Sequence, residues 1–77
     1  MITTTAVNFE NPDALFPPKD VAEFRHTTVG ALAQERFSGT GPAYVKCGAR
    51  VFYRAADLAD YIAANTIRPE SGAAQRD

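Results

Sequence analysis

Lys46, Arg50 and Arg54 recur at four-residue intervals through a stretch otherwise dominated by Tyr44, Val45, Val51, Phe52 and Tyr53. Cationic side chains alternating with β-branched and aromatic residues can meet phosphate oxygens, and a narrow basic ribbon can place an arginine in or beside a minor groove. Charges on an exposed strand also discourage edge-to-edge sheet pairing, so a purely protective role stays open. That all three carry one sign favours a contact with an anion. A second group lies upstream: Arg25, Thr27, Thr28, Gln34 and Arg36. The Gln34 amide has the geometry to read adenine through N6 and N7. Either threonine hydroxyl can bond phosphate, reach a thymine methyl or cap a helix. Arg25 and Arg36 can pair with phosphate. Glu35 has two readings, an acceptor for a cytosine amino group or one half of a surface ion pair.

The remaining reactive residue types lack partners. His26 has no cysteine or second histidine with which to bind a metal, and Cys47 has neither a second cysteine nor a histidine base placed in sequence. Asp57 and Asp60 are three residues apart on an expected helix, which suits solvated surface charge better than paired acid–base work. No phosphate-binding glycine loop and no Ser/His/Asp arrangement occurs. The chain is therefore expected to be neither an enzyme nor dependent on a cofactor or metal.

Charge distribution sharpens the case. The net charge of −1 conceals a basic middle. Residues 25–54 hold Arg25, Arg36, Lys46, Arg50 and Arg54 against Glu35. The segment before them holds Glu10, Asp13, Asp20 and Glu23 against Lys19, and the segment after them holds Asp57, Asp60, Glu70 and Asp77 against Arg68 and Arg76. A basic centre between acidic ends is the footprint of a small polyanion binder, or else a solvated face with no partner.

The elements that must position these groups follow from spacing. Seventy-seven residues allow one domain at most, and 45% apolar residues suit a folded one. No apolar run approaches the ~18 residues of a membrane span. The start MITTTAVNFE lacks the basic and apolar regions of a signal peptide, so a cytoplasmic protein with no membrane partner is expected. Residues 1–16 show no period and read as a flexible tail. A first helix should begin at Pro17-Pro18, where a missing N–H is tolerated, present Val21, Ala22 and Phe24, and stop near Arg25-His26. Thr27-Thr28 should open a second helix, with Val29, Leu32, Ala33 and Phe37 as its buried stripe. Gly30 weakens that helix by roughly 0.8–1 kcal/mol relative to alanine, so it needs tertiary packing. After the break Ser38-Gly39-Thr40-Gly41-Pro42, residues Ala43–Tyr53 read as a hairpin turning at Cys47-Gly48-Ala49, with Lys46 and Arg50 flanking its tip. A third helix over Ala55–Asn65 presents Leu58, Tyr61 and Ile62, and residues 66–77 read as a second flexible tail. The order helix, turn, helix, hairpin, helix describes a winged helix-turn-helix over 17–65, mainly α with a two-stranded wing. In that arrangement the second helix enters a major groove.

The stretches FPPKDVAEF and TTVGALAQERFSGTGPAYVKCGARVFYRAADLADYIAA resemble phage excisionases and related small regulators with a MerR-like winged helix. The most specific part is GTGPAYVKCGARVFYRAADLADYI: Gly41-Pro42 ahead of the first wing strand, Lys46 before the turn, then Gly48, Arg50, Tyr53-Arg54 and Asp57-Leu58. The resemblance covers about Phe16 to Ala64. It implies a recombination directionality factor, which binds repeated sites in attachment DNA, bends it and biases a site-specific integrase toward excision. Its partners would be double-stranded DNA, the integrase and other copies of itself. The contacts it implies are Thr28, Gln34 and Arg36 in the second helix and Lys46, Arg50 and Arg54 around the wing. One position departs from that pattern, since Glu35 stands where the family places an aromatic residue. A transcriptional regulator of the same fold and a protein-interaction adaptor are the alternatives.

Overall fold

A computed structural model describes residues 6–69, and within them six elements follow one another. They are β1 (Leu15–Phe16), α1 (Pro18–Arg25), α2 (Val29–Ser38), β2 (Val45–Cys47), β3 (Arg50–Arg54) and α3 (Ala55–Asn65). The result is a mixed α/β domain of three helices and a three-stranded antiparallel sheet ordered β1-β3-β2.

Each helix end has a local cause. Pro18 occupies the first position of α1, and His26 ends that helix in a left-handed conformation at φ 59°. The N–H groups of His26 and Thr27 then return to the carbonyls of Glu23 and Ala22, closing the helix in the manner of a Schellman motif. The Thr28 hydroxyl accepts from the Ala31 N–H at 3.0 Å and so caps α2, only three residues after α1 ends. α3 has no side-chain cap. Its first two N–H groups instead donate to the carbonyls of Ala14 and Pro12, both at 2.9 Å. The chain before β1 thereby satisfies donors that a helix start otherwise leaves open.

That contact corrects the expectation for the leading segment. The described part of it, residues 6–16, belongs to the packed structure. Leu15 pairs with Arg54 and Phe16 with Tyr53, which makes the sheet three-stranded rather than a two-stranded wing. Val7 and Phe16 are buried, and Phe9 meets Phe24 edge-to-face at 5.6 Å. The segment shows no period because two paired residues are too few for alternation, and because it packs through isolated apolar side chains. Residues 1–5 of the expected first tail and 70–77 of the second lie outside the described residues, and residues 66–69 have no regular structure.

The core is a single cluster of Val7, Phe16, Val21, Ala22, Leu32, Tyr53, Ala55 and Leu58. For α1 and α3 the expected faces are largely present: Val21, Ala22 and Leu58 are buried, Phe24 and Tyr61 half-buried, and Ile62 exposed. The stripe expected for α2 is not. Leu32 alone of the four is buried, whereas Val29, Ala33 and Phe37 face outward, Phe37 with 89% of its surface exposed. The helix is rolled so that Glu35 and Arg36 flank Leu32 at the edge of the core, which is possible because both have partners there.

Candidate nucleic-acid interface

β2 and β3 form a ribbon with Val45 opposite Phe52, Lys46 opposite Val51 and Cys47 opposite Arg50. The two-residue loop Gly48-Ala49 joins them, with Gly48 at φ 62°, a conformation that favours glycine in tight hairpins. Side chains alternate along a strand and cross-strand partners share a face. Tyr53 points into the core and Val51 packs against it, so Lys46 projects from that side of the ribbon beyond the core's edge. Arg50 projects from the other side with Phe52, its guanidinium 5.3 Å from that ring. Lys46 and Arg50 thus flank the tip as expected, on opposite faces, and both are exposed.

The other expected contacts divide into engaged and free. Arg25 donates twice to Glu35, at 2.7 and 3.0 Å, and once to the Tyr61 hydroxyl at 3.3 Å, with its guanidinium over the Tyr61 ring. This half-buried cluster ties α1, α2 and α3 together, and the Glu35 carboxylate raises the Arg25 pKa above its ordinary value. Arg25 is therefore a structural cation, and Glu35 takes the ion-pair role of its two readings. Arg54 is engaged as well. Asp57, three residues on, hydrogen-bonds its guanidinium at 3.2 Å and raises its pKa, and Asp13 approaches at 3.5 Å. Thr28 is occupied as the α2 cap, while Thr27 is half-buried in the turn between α1 and α2.

Three cations of the basic middle remain without an acidic partner among the described residues: Arg36, Lys46 and Arg50. Arg36 is held without a carboxylate. It donates to the Tyr53 hydroxyl at 2.7 Å, and its guanidinium lies 5.8 Å from the Tyr44 ring centre and 6.0 Å from that of Tyr53. Aromatic faces attract a guanidinium without supplying an opposite charge, so Arg36 is held in place by the two rings and the Tyr53 hydroxyl. It also joins the last turn of α2 to the base of the hairpin. The sequence offered no sign of this tyrosine frame, because Tyr44 and Tyr53 read simply as strand residues. The Arg54–Asp57 pair did have a signal in its three-residue spacing. Gln34 is fully on the surface of α2.

The α2–β2 connection is fitted to the Arg25–Glu35 pair. A methyl group added at Gly41 would lie 2.7 Å from Glu35 Oε1 and 2.8 Å from Glu35 Cβ. The second atom is close to the backbone, so Glu35 cannot simply swing aside. Gly41→Ala is expected to destabilise the fold by about 1–3 kcal/mol through this overpacking and the loss of the ion pair. Urea unfolding checks it, and a midpoint equal to wild type would contradict the close approach.

Among the described residues no group of three or more His, Cys, Asp or Glu side chains is placed to hold a metal, and no helix is long and apolar enough to cross a membrane. Cys47 is exposed at the hairpin tip. Comparison of the chain with protein-family models, with curated proteins and with solved structures found no match.

Proposed function

We propose that this protein is a winged helix-turn-helix DNA-binding protein that acts as an excisionase, binding and bending attachment-site DNA to direct an integrase toward excision. The observation that carries DNA binding is the division among the cations: Arg25 and Arg54 pair with carboxylates, whereas Arg36, Lys46 and Arg50 have none among the described residues. An unpaired, partly immobilised cation beside an exposed ribbon suits a partner that brings its own negative charge. In this reading α2 lies in a major groove with Gln34 toward the bases, Arg36 holds a backbone phosphate, and the hairpin tip enters the neighbouring minor groove. Lys46 and Arg50, on opposite faces of one ribbon, then meet opposite walls of that groove. Arg25, Arg54 and Thr28 act by fixing the elements, and Thr27 stays a phosphate contact at the start of α2.

The excisionase role rests on the resemblance of Phe16–Ala64 to that family, and it makes double-stranded DNA, a site-specific integrase and further copies of the chain the partners in a cell's cytoplasm. A single module of this size buries only about 600–1,000 Å² of its own surface on DNA, so neighbouring copies on adjacent repeats supply the affinity that one lacks. Two measurements test the two levels. Mobility shifts at low salt should show binding to duplex DNA, and absence of any shift removes the whole reading. Excision assays with and without the protein should show stimulation of a partner integrase. DNA binding with no such stimulation leaves a transcriptional regulator.

A further inference from the structure

The outward face of α2 is apolar. Val29, Ala33 and Phe37 recur at four-residue intervals along it, with Val29 47% and Phe37 89% exposed. The hydrogen-bonding groups of the helix are mostly spent elsewhere: Thr28 on the cap, Glu35 on Arg25, Arg36 on Tyr53. Only Gln34 and Ser38 stay outside those contacts, so the face that would meet base edges holds little with which to read donors and acceptors. Gly30 lies on the same face. Among the described residues a methyl group there would have only Thr28 Oγ1 within reach, at 3.9 Å, so none of their packing requires glycine at a position where it weakens the helix. Its absent side chain leaves the backbone open to close approach from outside.

We infer that this stripe reads DNA through the C5 methyl groups of thymine in the major groove, with Val29, Ala33 and Phe37 as the reading side chains and Gly30 admitting the groove edge. The inference rests on the DNA-binding reading above. Thymine is distinguished from cytosine in the major groove by that methyl as well as by its O4 acceptor, and apolar side chains are its natural contacts. The stripe's neighbours decide its occupant: Arg36 in the same helix contacts the base of the ribbon that carries Lys46 and Arg50, and these three cations have no acidic partner among the described residues. Arg36, one turn along the helix beside this stripe and held without a carboxylate among the described residues, complements a groove lined by phosphates. The target is accordingly rich in thymine at the steps under α2, and Gln34 adds one adenine contact beside them.

The experiment uses duplexes enriched from a random pool by the full chain and then resynthesised with deoxyuridine for thymidine, which removes the methyl and keeps O4. Wild-type affinity should fall roughly fourfold for each methyl contacted, hence more than tenfold for two. Phe37→Ser, at an exposed position, should keep its melting temperature and lose most of that discrimination. Gly30→Ala should melt higher than wild type yet bind the enriched duplex more weakly. Equal wild-type affinity for the thymidine and deoxyuridine duplexes would overturn the inference and leave the DNA-binding reading intact, whereas no binding to any duplex would remove both. Self-association abolished by Phe37→Ser, together with indifference to deoxyuridine, would assign the stripe to a second copy and overturn the inference.

Discussion

Tyr53→Ala is expected to leave the protein largely unfolded at 25 °C. Tyr53 is completely buried and sits where β3 joins β1 on one side and β2 on the other. It pairs with Phe16, meets Tyr44 edge-to-face at 6.4 Å and accepts the Arg36 hydrogen bond. Truncating a buried aromatic side chain to alanine costs about 3–5 kcal/mol. A single core in a chain this short rarely supplies more than roughly 3–5 kcal/mol in total, so one substitution removes most of the stability. Tyr53→Phe separates packing from polarity. It keeps the ring and deletes only the acceptor for Arg36, at a cost of about 0.5–1.5 kcal/mol. The variant should fold, and Arg36, still near two aromatic faces, should be less fixed. Circular dichroism and urea titration of the two variants test this, and a Tyr53→Ala protein melting within a few degrees of wild type would contradict the placement of β3 in the core.

The double substitution Lys46→Ala/Arg50→Ala should produce the largest loss of DNA affinity without a loss of fold. Both side chains are exposed and neither forms an ion pair within the described residues, so the melting curve should not move by more than about 0.5 kcal/mol equivalent. Each phosphate contact releases counterions, and at 0.1 M salt that is worth roughly eightfold in affinity, so losing two costs several tens-fold. The plot of log affinity against log salt should flatten by roughly 1.8, and random and preferred sequences should suffer alike. Gln34→Ala should behave oppositely, costing about 1–3 kcal/mol on the preferred sequence with little change in salt slope. A folded double variant with unchanged affinity and slope would show that the ribbon tip does not touch DNA.

Much of this arrangement was legible beforehand, for identifiable reasons. The limits of α1 and α3 follow from Pro18, from the Arg25-His26 stop and from the residues Ala55–Asn65, and all match the structure closely. The hairpin follows from β-branched and aromatic runs around a glycine-bearing turn, and its register places Lys46 and Arg50 beside the loop as expected. β1 was not legible, because a strand of two residues exists only through its partner. The buried face of α2 differs from the sequence expectation for a related reason. Val29, Ala33 and Phe37 satisfy a helical period as well as Leu32 does, and periodicity alone does not say which of two adjoining stripes meets the core. The Arg25–Glu35 and Arg36–Tyr53 contacts chose, by giving the charged side of α2 partners along the core's edge.

The sequence by itself therefore determined what is local: helix limits, a threonine cap at Thr27-Thr28, the turn at Gly48 and the presence of a basic middle. These depend on backbone propensity, on hydrogen bonds within a few residues, and on which charges the chain carries. Apart from the Arg54–Asp57 pair, three residues apart, the tertiary structure decided which of those charges are free. Arg25, Arg36, Arg50 and Arg54 are alike as residue types, yet among the described residues two face carboxylates and two do not, and the difference lies partly in partners ten or more positions away: Glu35 for Arg25, Asp13 for Arg54 and Tyr53 for Arg36. A guanidinium's availability depends on the charge it meets in space, and only the packing of α1, α2 and β3 brings those partners within a few ångströms.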